Sequence, residues 1–283
     1  MKDEIRRKVE RKPLYEHEPK TLAELFRHAK QNHPRKNALN FKREEKWRAI
    51  SSDEMLLAIE SIAAGLNSIG LKPGDRAAIL ASNSPNWTFA DAGCQFAGVV
   101  DVPIYTTLVP DSIKYILNDS GAKVLFIEDV ETFKRIEEII PHCANLEKLI
   151  FFGEETIDSD DAITLSDLTA LGKKLLAGKP DLIEGLMVGV NPDDVATLIY
   201  TSGTTGEPKG VMLSHENIIS NVIDSCEHFS FIKDDVPLSV LPLSHVFERT
   251  GMYLYIFNGM AVHYAESIEK VPQNLQEVRM FLQ

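Results

Sequence analysis

Cysteine is scarce: the 283 residues hold three, Cys94, Cys143 and Cys226, far apart and in no C-x-x-C pair. That pattern excludes a disulfide framework and a cysteine-rich structural zinc site, and it fits a reducing, cytoplasmic setting. Long apolar runs are missing too. The most apolar stretch, 252–262, is broken by Asn258 and Gly259 and falls far short of the roughly 20 residues that a membrane-spanning helix needs. The opening Met1-Lys2-Asp3-Glu4-Ile5-Arg6-Arg7-Lys8 is charged with no apolar segment behind it, which excludes an ordinary secretory signal. Positive charge is in deficit, with 30 Lys+Arg against 42 Asp+Glu and a net charge of −12. A protein whose main task is gripping nucleic-acid backbones needs the opposite balance. What is present, 44% hydrophobic and 25% charged residues, is the composition of a globular protein with one large or two ordinary domains.

After a charged leader over 1–20, Thr21-Leu22-Ala23-Glu24 has the spacing in which a hydroxyl and a carboxylate reciprocally satisfy free N–H groups at a helix start. Ser51-Ser52-Asp53-Glu54 repeats the signal, and Gly70 stands where that helix would close on a left-handed residue. Ser84-Pro85 marks a third start, a capping serine followed by a proline whose missing N–H costs nothing there. From 77 onward, short apolar runs (77–80, 99–102, 124–127, 149–152, 197–200, 239–241 and 261–264) alternate with helical periodicity, notably 129–140 and 214–229, and a helix is expected from Pro272. Strands apolar on both faces and joined by helices call for a mostly parallel, doubly wound α/β fold. The organisation expected is a first α/β subdomain over 21–152, an acidic connector with a short helix over 153–193, and the start of a second α/β subdomain over 194–283.

Chemistry concentrates in Tyr200-Thr201-Ser202-Gly203-Thr204-Thr205-Gly206-Glu207-Pro208-Lys209-Gly210-Val211. A buried strand runs into glycines that let backbone N–H groups approach an anion, hydroxyls that donate to it or ligate a metal, and a lysine that adds full charge. Those are the requirements for holding a polyphosphate. The Walker A loop is absent, because Pro208 stands where its second glycine belongs, and no Gly-x-Gly-x-x-Gly or Gly-x-Ser-x-Gly occurs here.

The unbroken run from Tyr200 to Val211 resembles the phosphate loop of the adenylate-forming acid ligases, the superfamily of acyl-CoA synthetases, luciferases and peptide-synthetase adenylation domains. Leu71-Lys72-Pro73-Gly74-Asp75-Arg76, Val102-Pro103-Ile104-Tyr105 and Ile116-Leu117-Asn118-Asp119-Ser120 extend the similarity back to about residue 20. Leu241-Pro242-Leu243-Ser244-His245-Val246-Phe247-Glu248-Arg249 looks most like the long-chain fatty acyl-CoA synthetases.

The resemblance implies a fatty acid activated with ATP to acyl-AMP, then passed to coenzyme A, with Mg²⁺ assisting. It assigns Thr201, Ser202, Gly203, Thr204, Thr205, Gly206 and Lys209 to the nucleotide phosphates and Thr204 or Thr205 to Mg²⁺. His245 is the expected catalytic histidine, with Val246 and Phe247 beside it at the acyl site. It also implies a longer enzyme, since the later adenine, ribose and hinge segments and the small C-terminal domain with its lysine are not found in 1–283. This chain is then expected to be an incomplete N-terminal portion, weak or inactive alone. A non-catalytic nucleotide- or acyl-binding module and a ligase for an aryl or amino acid remain as alternatives. A long-chain acid partitions into bilayers, which makes peripheral membrane contact compatible with this reading. Elsewhere, His215 is open between facing phosphate and standing in a solvated first turn, and Cys226-Glu227-His228 lacks metal-ligand spacing.

Overall fold

The computed structural model describes residues 18–201, 208–229, 231 and 234–280. The three helix starts stand where the caps predict them. Helix α1 (Leu22–Asn32) and α2 (Ser52–Ser68) each open on a complete capping box, Thr21 with Glu24 and Ser51 with Glu54. Between them lies a hairpin, β1 (Leu39–Arg43) and β2 (Lys46–Ile50), whose two turn residues Glu44 and Glu45 have φ of 53° and 58°. Such turns usually carry Asn-Gly, because positive φ strains any other L-residue. The hairpin was therefore not signalled by its sequence.

The doubly wound unit follows as β3 (Arg76–Leu80), α3 (Pro85–Ala97), β4 (Val100–Ile104), α4 (Pro110–Ser120) and β5 (Val124–Ile127). Ser84 caps α3 by accepting from the Trp87 N–H, and α3 and α4 both end on left-handed glycines, Gly98 and Gly121. The single helix expected over 129–140 is instead a short α5 (Val130–Lys134) and a 3-10 turn, Glu137–His142. Pro141 lies inside the second piece and disfavours an α-helix there: it has no N–H to give, and in an α-helix its ring would meet the carbonyl of Glu137. β6 (Lys148–Phe151) comes next.

The connector does more than expected. It supplies β7 (Ala162–Thr164), α6 (Leu165–Gly178) and α7 (Leu182–Val188), and α6 lies tightly on α2. A Cβ at Gly65 would sit 2.5 Å from the Leu168 carbonyl oxygen, and one at Gly172 would collide with the Ser61 carbonyl. Two glycines thus allow a backbone-to-backbone crossing that hydrophobic periodicity does not reveal.

The remaining elements are β8 (Val195–Thr201), β9 (Lys209–Ser214), α8 (His215–His228), β10 (Leu238–Ser239), α9 (Val246–Phe257), β11 (Val262–Tyr264) and α10 (Val271–Met280). Strands order as β7-β6-β5-β3-β4-β8-β9 in a seven-stranded sheet and β10-β11-β1-β2 in a four-stranded one. Among the described residues all pairings are parallel except β1–β2 and β8–β9. The division into 21–152 and 194–283 does not coincide with a division of the sheets: β8 joins β4, while β11 joins β1. The larger sheet is covered on both faces. Ala77, Ile79 and Phe126 point into one core with α1, α2, α3, α8 and α9, while Ala78, Leu80 and Ile127 point into a second core with α4. Each fully buried Leu, Ile or Phe there contributes about 1.5–3 kcal/mol. Among the described residues no helix is long and apolar enough to cross a membrane.

Candidate active site

In doubly wound sheets, ligands bind beyond the carboxyl ends of strands, where successive helices leave to opposite faces. Here α3 leaves β3 toward one core and α4 leaves β4 toward the other. β8 lies parallel to β4, so Thr201 ends at this same edge. The chain returns as β9, and Thr201 pairs with Lys209, which sets the two roots of the glycine- and hydroxyl-rich loop side by side with both residues exposed. Lys209 is thus the first residue of a strand. Ser202, Gly203, Thr204, Thr205 and Gly206 lie outside the described residues.

The second expected block reaches the same edge through Asn83, just after β3. Its side-chain N–H groups donate to Ser239 Oγ at 3.1 Å and the Leu241 carbonyl at 2.7 Å, and its Oδ1 accepts from the Leu243 N–H at 2.8 Å. That clamp delivers His245 to the N-cap of α9, where Nδ1 accepts from the Phe247 N–H at 3.2 Å. A neutral imidazole with Nδ1 accepting carries its proton on Nε2 and can donate from there. His245, Val246 and Phe247 are all exposed, Phe247 at 72%. Glu248, the next residue, turns inward, and burial raises its pKa.

Under this rim lies a buried cluster that the sequence did not announce. Arg249 Nη2 meets Asp91 Oδ1 at 2.5 Å and Asp101 Oδ2 at 2.6 Å, Nη1 donates to Thr197 Oγ1 at 2.8 Å, and Nε donates to the Tyr253 hydroxyl at 2.8 Å. The Tyr253 hydroxyl donates to Asp91 Oδ2 at 2.7 Å, and Thr197 donates to the Asp101 carbonyl at 3.2 Å. Trp87 lies 5.7 Å from the guanidinium carbon, ring centroid to Cζ. Asp101 touches Arg249 as an ion pair without hydrogen-bond geometry, and neither of its carboxylate oxygens has a hydrogen bond among the described residues. Burial pushes its pKa up to about 7, outweighing the pull of Arg249. The four elements involved, α3, β4, β8 and α9, offer no local sequence pattern to find this by.

Other expected residues stand apart. His215 neither faces solvent nor turns to the loop: it is 2% exposed and its Nδ1 accepts from the Leu22 N–H at the start of α1, with burial lowering its pKa to about 4. Tyr200 points to the opposite face, donating to Asp119 Oδ2 at 2.6 Å, beside an open cleft of about 700 Å³ between α4 and Pro208. Exposed Thr201 and Lys209 suit phosphate oxygens in chemistry, a hydroxyl donor and a cation. Among the described residues no group of three or more His, Cys, Asp or Glu could hold a metal ion.

A family model described as AMP-binding enzyme matches residues 26–280. The long-chain-fatty-acid–CoA ligase ACSBG1 of Mus musculus is 31% identical over 243 residues, which is 83% of this chain and 33% of that protein. The peroxisomal long chain acyl-CoA synthetase 7 of Arabidopsis thaliana is 32% identical over 205 residues, 72% of this chain and 29% of that protein. The chain spans about a third of the length of the curated relatives it matches. Among solved structures, the long-chain-fatty-acid-CoA ligase FadD1 from Archaeoglobus fulgidus superposes with a TM-score of 0.79 at 22% identity, over 93% of this chain and 51% of that one. The N-terminal domain of FACL13 from Mycobacterium tuberculosis gives 0.74 at 23% identity, over 92% and 61%. At those identities the two structures establish the shared fold.

Proposed function

The chain belongs to the AMP-binding enzyme family, and from that membership we propose that it supplies the phosphate- and acid-binding part of a long-chain fatty acid:CoA ligase. The observation that supports this reading is the shared edge. Thr201 and Lys209, paired at the loop roots, and the exposed turn of His245, Val246 and Phe247 are both held at the carboxyl ends of the parallel strands.

A carboxylate resists a thiol because its charge repels the nucleophile and its oxygen leaves poorly. In the proposed reaction a carboxylate oxygen attacks the α-phosphorus of ATP, the phosphoanhydride bond breaks and pyrophosphate leaves. The coenzyme A sulfur then attacks the acyl carbon, AMP departs and the thiol proton is released. Such chemistry asks the protein for positioning and charge neutralisation. Thr201, Ser202, Gly203, Thr204, Thr205 and Gly206 would hold the phosphates and Lys209 would offset their charge. Mg²⁺ would neutralise further charge, with Thr204 or Thr205 as its proposed hydroxyl ligand. His245 would donate from Nε2 to the substrate carboxylate, while Val246 and Phe247 would line the acyl chain.

Pyrophosphate release from ATP and Mg²⁺ tests this, measured for the chain fused to the C-terminal part of a relative, with palmitate, benzoate or alanine as the acid. The proposal expects release with palmitate and its loss in His245→Ala. Release with benzoate or alanine alone would replace the fatty acid by another acid class.

A further inference from the structure

Fastening a helix to a sheet does not require buried charge. Taking an ion out of water costs several kcal/mol, and an apolar contact of the same volume often holds as well. Yet α9 is fastened through Arg249, Asp91 and Asp101, all at most 2% exposed, with one more negative than positive group and an Asp101 Oδ1 that finds no hydrogen bond among the described residues. What a guanidinium offers beyond an apolar side chain is direction, because its N–H groups leave a rigid plane at fixed angles. Each hydroxyl it touches is directed as well: Thr197 accepts from Arg249 and donates to the Asp101 carbonyl, and Tyr253 accepts from Arg249 and donates to Asp91. A slide of α9 by about 1 Å would break several of these contacts together.

The two ends of this network lie on the elements that carry the two halves of the proposed site. Thr197 stands four residues before Thr201 on β8, about 13 Å along the strand, and Arg249 stands about one turn after His245 on α9. We infer that Arg249 is a positioning residue, setting the first turn of α9 against the roots of the phosphate loop through its directed hydrogen bond to Thr197, with Asp101 as its ion-pair partner. This inference rests on the roles proposed for Lys209 and His245. Its consequence is that Arg249 acts on the bound acid through His245, since misplacing a catalytic group by about 1 Å can cost on the order of a hundredfold.

The test is a double-mutant cycle on the affinity of the chain, fused as above to the C-terminal part of a relative, for a non-hydrolysable palmitoyl-adenylate analogue, followed by calorimetry. Arg249→Lys keeps the charge and removes the planar fork; if it fails to fold, Thr197→Val removes one hydrogen bond and leaves the ion pairs. The expected result is a loss of about tenfold with His245 present and of less than about twofold in the His245→Ala background. Equal losses in both backgrounds, or no loss in either, would overturn the positioning role while leaving the ligase reading in place. Absence of binding by the unmutated chain, or binding indifferent to both Lys209→Ala and His245→Ala, would overturn the ligase reading and the inference with it.

Discussion

The rim of the proposed site and the anchor beneath it are built on opposite terms. At the rim, Thr201, Lys209, His245, Val246 and Phe247 are exposed, contributed by two continuous stretches of chain, and free to meet a ligand. In the anchor, Asp91, Asp101, Thr197, Arg249 and Tyr253 are buried, drawn from four elements up to 162 residues apart, and spent on one another. The difference teaches where function and stability part. Rim side chains add little to folding because they bury little, whereas the anchor holds ions that are tolerable only while paired.

Breaking the anchor should have the largest effect. Arg249→Met leaves two buried carboxylates facing each other, and loss of one partner of a buried pair costs about 3–5 kcal/mol. Urea unfolding should show that loss; a change under about 1 kcal/mol would mean that the cluster relaxes at no penalty.

Acidity next sets Asp101 of the anchor against His215, which is buried outside both regions. Asp101 has its folded pKa near 7, above its unfolded value, so its contribution to stability is present below about pH 4 and fades as pH rises through 7. His215 has its folded value near 4, below its unfolded one, so its contribution is lost as pH falls from about 6.5 toward 4. The stability of Asp101→Asn relative to the unmutated chain should therefore rise from about pH 4 to 7. His215→Gln should gain relative stability in the opposite direction, toward acid. Curves parallel to that of the parent chain would contradict both assignments.

A smaller effect comes from a place that belongs to neither region. Replacing Glu44-Glu45 by Asn-Gly relieves positive φ at two residues and should stabilise the chain by about 1 kcal/mol without touching ligand affinity. A destabilised variant would mean that the glutamates do work the turn geometry does not show.

The same contrast explains what the sequence disclosed. Helix starts at Thr21, Ser51 and Ser84 were legible because a cap is a local exchange of hydrogen bonds. The parallel sheet was legible because strands covered on both faces are apolar throughout. The hairpin at Glu44-Glu45 was not, since its turn uses residues that carry no turn signal, and the α2–α6 crossing was not, since Gly65 and Gly172 matter only once they meet. The phosphate-loop and histidine blocks could be named as motifs because each is contiguous. Arg249 stood inside one of them, yet its partners Asp91 and Asp101 lie 158 and 148 residues away, so only the fold brings out its role.

The most direct measurement is calorimetric titration of ATP and Mg²⁺ into the 283-residue chain and into Lys209→Ala, each with its melting temperature recorded. The account predicts an affinity loss of about tenfold or more at Lys209→Ala with stability unchanged within about 0.5 kcal/mol, as for a ligand-facing rim residue. Equal affinities for the two chains would contradict the placing of phosphate at the Thr201–Lys209 root.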